Sequence, residues 1–382
     1  MEDMEKLNVM KELSNKYYDE MRKWGHVNLI IAGKTGVGKS TLLNAALGGN
    51  LVKTGIGRPI TDLGDVKWYE KDGVPLRIMD TVGLELDAEK RRRSLKAIKN
   101  EIKNNRKKDE AYAMWYCVSC ESDRLESFEA EYINEISEEI SVILVITKAF
   151  RIKHAEKLIN AIKDSYPGLK VANIIKVLAQ DEDPEDCDEG VIPKKKFGVS
   201  DLCEATYQIL PEELQNAWCS VQKGSIDLKI KNANIIVNAT AASCFTVGFI
   251  PVSFADAPVL IAAQIGMLAK ITAIFGISLK DHFLRTAITS ILGTSTTTVT
   301  GKTIVTELLK FVPGVNTVTG VISGTTAGML TVALGKSYIE IMIKVEKGEI
   351  DERNLASKNV QNQLSQIFKN KLQIEKNSHS KY

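Results

Sequence analysis

A chain of 382 residues exceeds one domain of ordinary size, so two domains are expected. Apolar residues at 44% and charged residues at 26% exclude a disordered or fibrous protein. Basic and acidic side chains number 50 and 48, and a net charge of +2 gives no overall pull towards nucleic acid; a polyanion partner requires a local basic surface. Six cysteines in so long a chain form no disulfide framework, and the charged start MEDMEKLNVMKELSNKYYDEMRKW resembles no signal peptide. Glu2 excludes glycine myristoylation, and a cytoplasmic location is expected.

Leu7, Met10, Tyr17, Met21 and Trp24 recur at helical spacing, which predicts an amphipathic N-terminal helix over 1–25. VNLIIAG (27–33) reads as a buried strand ending in glycine. LGDVKWYEKDGVPLRIMD (63–80) reads as two strands around a Lys71-Asp72-Gly73 turn. Further strands are expected at 111–119, 141–147 and 171–179, with helices at 87–104, 125–139 and 152–166 between them. Strands alternating with helices imply a doubly wound, mostly parallel α/β sheet over 26–210.

An acidic run, two prolines and a basic triplet crowd 181–200, which reads as an exposed loop. From Pro211 onwards the pattern is helices only, opening with a long helix near 211–232. No charge falls between Lys231 and Asp256 or between Lys310 and Lys336. The region 211–382 is therefore expected to be an all-α, apolar domain.

Gly33-Lys34-Thr35-Gly36-Val37-Gly38-Lys39-Ser40 fits G-x-x-x-x-G-K-[ST], with an apolar strand before it and the helical TLLNAALG from Thr41 after it. Glycines let the backbone wrap closely and aim N–H groups at phosphate oxygens, and the helix N-terminus adds favourable partial charge. Lys39 would reach the β- and γ-phosphates, and the Ser40 hydroxyl would hold Mg²⁺. The plain alternative is a glycine-rich strand-to-helix turn. Downstream, Asp80 ends an apolar strand and precedes Thr81-Val82-Gly83; such an aspartate holds Mg²⁺ through water, and the Gly83 N–H meets the γ-phosphate. Alone, Thr61 in GRPITD (57–62) is a turn residue. At this spacing from the other two elements it reads as a ligand of Mg²⁺.

GKTGVGKST, the Thr61 segment and DTVG, in this order, resemble the Era-like group of translation-factor-related P-loop GTPases, over about 25–210. MWYCVSCESDRLESFEAEYI (114–133) and VILVITKAF (142–150) narrow the likeness to bacterial and related GTPases fused to a helical domain of unknown function. SFADAPVLIAAQIGMLAKI (253–271) and FVPGVNTVTG (311–320) resemble that partner domain. The resemblance implies GTP or GDP and Mg²⁺ as ligands, and Lys39, Thr61 and Gly83 as catalytic groups. It implies base contacts from Thr147, Lys148 and Ala179.

Two departures bear on mechanism. Phe150 stands where such GTPases carry the aspartate that reads guanine, which leaves ATP as a variant ligand. Leu84 follows D-x-x-G where many relatives carry a water-orienting glutamine, so slow unassisted turnover is expected, on the ~10⁻⁴ s⁻¹ scale of such switches.

Cys117 and Cys120 form a C-x-x-C on an apolar strand without a second pair, and read as buried thiols. Arg91-Arg92-Arg93 and Lys194-Lys195-Lys196 read as solvated faces, with an anion or partner contact as the sharper alternative for the arginines. Gly320, Gly324 and Gly328 share one helix face, suited to a membrane helix pair or to a tight soluble bundle. The expected function is a GTP-hydrolysing switch whose nucleotide state governs an apolar helical domain that meets a membrane or a protein partner, with self-association through that domain. Nucleic acid is not expected as a partner. A self-assembling mechanochemical membrane GTPase, a ribosome-assembly GTPase and a poorly hydrolysing nucleotide-binding scaffold remain open.

Overall fold

The structure is a computed structural model that describes residues 15–48, 58–62, 66–70, 74–81, 88–104, 110–182, 193–247, 252–253, 257–277, 321–322, 324–351 and 357–379. The chain divides into two compact units. One is Trp24–Ile226, and the other joins Met1–Lys23 to Asp227–Tyr382.

The first unit is a seven-stranded sheet in the order β2-β3-β4-β1-β5-β6-β7. Its strands are β1 (His26–Ala32), β2 (Arg58–Asp62), β3 (Val66–Glu70), β4 (Leu76–Thr81), β5 (Glu110–Ser119), β6 (Ser141–Thr147) and β7 (Asn173–Lys176). From β4 to β7 every pairing is parallel, while β2–β3 and β3–β4 are antiparallel. Residues 29–32 of β1 and 143–146 of β6 are fully buried. That continuous burial explains their unbroken aliphatic sequence, since parallel strands are covered on both faces. The interleaved helices are α2 (Lys39–Leu47), α3 (Ala88–Asn104), α4 (Ser127–Ser137), α5 (Ile152–Ser165), α6 (Val199–Ile209) and α7 (Glu212–Val221), with α1 (15–23) preceding β1. The expected doubly wound, mostly parallel sheet is observed. The segment holding Thr61 is an edge strand rather than a loop.

The long helix expected near 211–232 is broken into α7 and α8 (Ile226–Val247). Between them the Gln222 amide closes a tight turn: its Nε2 donates to the Ser225 carbonyl at 2.6 Å, and Ser225 N–H donates to its Oε1 at 2.7 Å. Helix α7 packs with the sheet unit. Trp218 is fully buried edge-on to Trp115, with 6.0 Å between ring centroids, and its Nε1 donates to the Cys203 carbonyl at 2.9 Å. The sheet unit runs through α7 to Ile226, because α7 fills its apolar face from the sheet.

The second unit is largely helical: α8, α9 (Ala257–Phe275), α10 (Gly324–Glu346) and α11 (Lys358–His379), with α1 docked on it. A two-residue ladder of β8 (Val252–Ser253) and β9 (Val321–Ile322) departs from the helices-only reading. Lys16 of α1 donates to the Ala262 carbonyl at 2.7 Å. Buried Thr272 and Tyr338 hydroxyls meet at 2.8 Å between α9 and α10. A Cβ on Gly328 would touch the Ala241 carbonyl of α8 at 3.5 Å, and one on Gly335 would crowd Val237 and Met267. Gly324 and Gly328 are buried within this unit, so packing accounts for them; Gly320 lies outside the described residues. No helix among the described residues is long and apolar enough to cross a membrane. Phe368 and Leu372 of α11 are buried, so the apolar stripe of that helix packs within the bundle.

Candidate functional site: the phosphate loop

The strand order reverses at β1, which sits between β4 and β5. A crevice therefore opens beyond the carboxyl ends of these strands, where doubly wound folds bind ligands. The loop 33–40 starts there. At Gly33 φ is +134°, and a Cβ would overlap the Cys117 carbonyl oxygen of β5, so the loop root tolerates only glycine. Gly36 and Gly38 also have positive φ, +76° and +96°, yet nothing lies within 4 Å of where their Cβ atoms would be. They shape an open cradle of backbone. Such a cradle suits phosphate oxygens, which take N–H donors where a side chain would intrude.

Helix α2 begins at Lys39 with Gly38 as its N-cap; no side chain caps it, and no acidic residue sits in its first turn. Its first N–H groups and positive dipole end thus face the cradle without a competing carboxylate. Lys39 Nζ lies 2.9 Å from the Gly33 carbonyl and 3.0 Å from the Lys34 carbonyl, arched over the loop. Thr35, Gly36, Ser40 and Thr41 are exposed, whereas Val37 is buried beneath them. The buried Thr147 hydroxyl donates to the Val37 carbonyl at 2.6 Å, with the Val118 carbonyl at 3.1 Å. Thr147, expected near the base, braces the loop from below.

Asp80 pairs in register with Ile31 of β1 and with Lys67 of β3, which in turn faces Asp62. Asp80, the penultimate residue of its strand, therefore lies one strand away from Ile31 near the root of the loop. Thr61 is next to Asp62 on β2, two strand spacings from Asp80, or about 10 Å. Gly83 and Leu84 lie outside the described residues. A hydroxyl and a carboxylate beside a phosphate cradle form a hard-oxygen donor set that fits Mg²⁺.

At the base side, Lys148 adopts φ +51°, a left-handed conformation rare for a side-chain residue. Its Nζ lies 2.9 Å from Glu121 Oε2, and that ammonium holds the Glu121 carboxyl below its usual range. Ala149 N–H donates to the Val177 carbonyl at 3.1 Å, which draws this corner to the segment ahead of half-buried Ala179. Phe150 stands here in place of an acid, and its carbonyl accepts from Lys194. Lys195 pairs with Asp181 at 2.9 Å, and Lys196 N–H also donates to it. The basic triplet thus holds Asp181 and Glu182 at the start of the acidic run. Cys117 and Cys120 are buried, and desolvation pushes the Cys120 thiol above its ordinary range.

A network beneath the loop had no motif to announce it. Lys34 Nζ pairs with Glu129 Oε2 at 3.2 Å, and the Glu129 side chain is only 3% exposed. The same carboxylate accepts from Tyr116 Oη at 3.1 Å and from Glu126 N–H at 3.0 Å, the latter closing a capping box on α4. Burial first, and then the Glu129 charge, push the Tyr116 phenol well above its ordinary range. Phe128 lies between the Arg91 guanidinium, 4.3 Å from its centroid, and Lys34 Nζ at 5.5 Å. The sequence signal for Glu129 is a glutamate three residues into a helix after Glu126.

Residues 28–148 match the family model described as 50S ribosome-binding GTPase, and residues 219–369 match the one described as a domain of unknown function, DUF697. No curated protein matches the sequence. The chain is an Era-like P-loop GTPase domain fused to a distinct C-terminal domain of unknown function.

Proposed function

We propose that the protein is a cytoplasmic molecular switch that binds GTP with Mg²⁺ and hydrolyses it to GDP and phosphate. The observation that carries this reading is the uncapped start of α2 over three positive-φ glycines, with Lys39 arched across the loop. Lys39 would exchange its two carbonyl partners for β- and γ-phosphate oxygens. Ser40, Asp80 and Thr61 would hold Mg²⁺, which supplies charge neutralisation on the transferring phosphoryl group. Residues 33–41 would donate N–H groups, Thr61 and Gly83 would close on the γ-phosphate, and their release after hydrolysis would be the switch.

Lys148 and Ala179 would flank the base. Phe150 offers no carboxylate to guanine N1–H and N2–H₂, so preference for GTP over ATP rests on backbone groups there. Leu84 cannot orient water, and turnover of the isolated protein would be slow. Binding of a fluorescent GTP analogue to wild type and to Lys39→Ala tests the site. Loss of binding is expected, and equal affinity would refute it.

The family description favours a partner on the ribosome over a bilayer, and the helical domain would then transmit nucleotide state to that assembly. Among the described residues no helix argues for a membrane span. Salt-sensitive co-sedimentation with ribosomes in one nucleotide state is expected. Flotation with liposomes, or turnover rising with protein concentration, would instead revive the membrane and self-assembly readings.

A further inference from the structure

The near-zero charge of the chain hides one strongly basic element. Helix α3 carries seven basic and two acidic side chains, a net +5 within a chain of net +2, so the remainder is net acidic. In sequence, Arg106, Lys107 and Lys108 extend the run, though they lie outside the described residues.

The packing sorts these cations into two groups. Arg91, Lys99 and Lys103 serve the fold: Arg91 lies over Phe128 and Lys99 pairs with Glu135 at 3.2 Å, both on α4, and Lys103 pairs at 3.3 Å with Glu139 in the turn that follows it. Arg92, Arg93 and Lys96 point the other way. All three are exposed, and among the described residues none of them is held by an ion pair. Their i, i+3 and i, i+4 spacing sets them as a triangle on one turn of helix. The apolar side of α3 is spent on the core, with Ile98 and Ile102 fully buried and Leu95 packed against it. Among the α3 side chains the structure describes, the exposed ones are Ala88, Glu89, Arg92, Arg93, Lys96, Asn100 and Lys103, with no large hydrophobic group among them.

That composition discriminates between partners. Protein interfaces centre on well-packed, desolvated anchors, Trp and Tyr together with Arg. Stable attachment to a bilayer surface needs apolar groups to insert. These exposed residues of α3 include no aromatic anchor and no large apolar group. A phosphate backbone, by contrast, is bound by cations alone, and arginine forks match phosphate oxygens. We infer that Arg92, Arg93 and Lys96 form a docking surface for the phosphate backbone of RNA, read without base specificity. None of these three side chains is a group assigned to the nucleotide, and in sequence their helix begins five residues beyond Gly83.

The experiment is fluorescence anisotropy of a labelled RNA duplex with the full chain. It uses wild type, Arg92→Glu/Arg93→Glu/Lys96→Glu and the neutral Arg92→Gln/Arg93→Gln/Lys96→Gln. Three phosphate contacts predict a salt slope near about −2.7, or about a 40-fold loss of affinity between 50 and 200 mM salt. The charge-reversed chain should lose RNA binding and the neutral one should lose most of it, while both keep the wild-type melting temperature and GDP affinity. The inference falls if the reversed chain retains RNA affinity, or if the salt response is flat. It also falls if phosphatidylserine vesicles or poly-glutamate bind in place of RNA. GDP affinity measured on the same samples separates the two claims, because loss of RNA binding with GDP bound overturns only this surface.

Discussion

Gly33 and Gly36 sit three residues apart in one loop, both with positive φ, and the structure assigns their missing side chains opposite surroundings. Replacing Gly33 by alanine drives a methyl group into the Cys117 carbonyl, with the Cys117 carbonyl carbon at 3.1 Å and Cβ at 3.3 Å. That carbonyl belongs to β5, which pairs along its length with β1 and is buried on both sides, so it cannot yield. Relief must come from the loop moving outward. Overpacking costs roughly 1–3 kcal/mol, and a left-handed backbone adds roughly 1–2 kcal/mol for a residue with Cβ.

Gly33→Ala should therefore destabilise the sheet unit by about 2–5 kcal/mol and displace the N–H cradle. Gly36→Ala meets nothing within 4 Å and should cost only the conformational strain of roughly 1–2 kcal/mol. Its methyl group would, however, enter the space meant for phosphate. Thermal melts without nucleotide and titrations with a fluorescent GDP analogue separate the two. Gly33→Ala should lower both melting temperature and affinity, and Gly36→Ala should lower affinity with little change in melting. If Gly33→Ala melts and binds like wild type, the close approach of loop and β5 is wrong.

Lys34 and Glu129 should couple in a double-mutant cycle on GDP affinity and stability by about 1.5–3 kcal/mol, because one charge-assisted pair is lost in either single variant. Additive effects of Lys34→Met and Glu129→Gln would show that the network does not position the loop. In the helical unit, fully buried Lys229 donates to Glu346 at 2.6 Å and to the Phe275 carbonyl at 3.2 Å. Lys229→Met should cost roughly 3–5 kcal/mol by urea unfolding, and Lys229→Met/Glu346→Leu much less; equal losses would refute the pair. Glu121 titrates below its usual value because Lys148 stabilises the carboxylate. Its folded pKa is depressed, so the pairing persists above the ordinary carboxylate range and is lost as pH falls through the depressed value. GDP affinity should therefore stay level from neutral pH down through the ordinary carboxylate range and fall only on the acid side of it. In Glu121→Gln that acid-side fall should be reduced, and an unchanged profile would remove Lys148 from the base site.

The sheet was legible because its strands advertise themselves. VNLIIAG and SVILVIT are aliphatic throughout, as only doubly covered parallel strands can be. The phosphate loop was legible because its glycines, lysine and serine sit at fixed offsets between a strand and a helix. What escaped detection depended on tertiary partners. The break at Gln222–Ser225 is made by a side-chain amide, and no proline falls between Glu212 and Asn232 to reveal it. Thr147 looked like a base contact because it precedes Lys148, yet its hydroxyl points down at Val37. For Glu129 the sequence offered only a helix-capping signal, since its importance comes from burial beside Lys34 and Tyr116. The basic triplets also looked alike in sequence. Lys194 and Lys195 direct their ammonium groups at the Phe150 carbonyl and Asp181, whereas Arg92 and Arg93 remain outward.

Phosphate release from GTP by a monodisperse sample, measured for wild type beside Lys39→Ala with ATP as the competing substrate, tests the central claim most directly. The account predicts slow but measurable release from GTP, on the ~10⁻⁴ s⁻¹ scale, abolished by Lys39→Ala. Equal release from wild type and Lys39→Ala, or release from ATP alone, would contradict it.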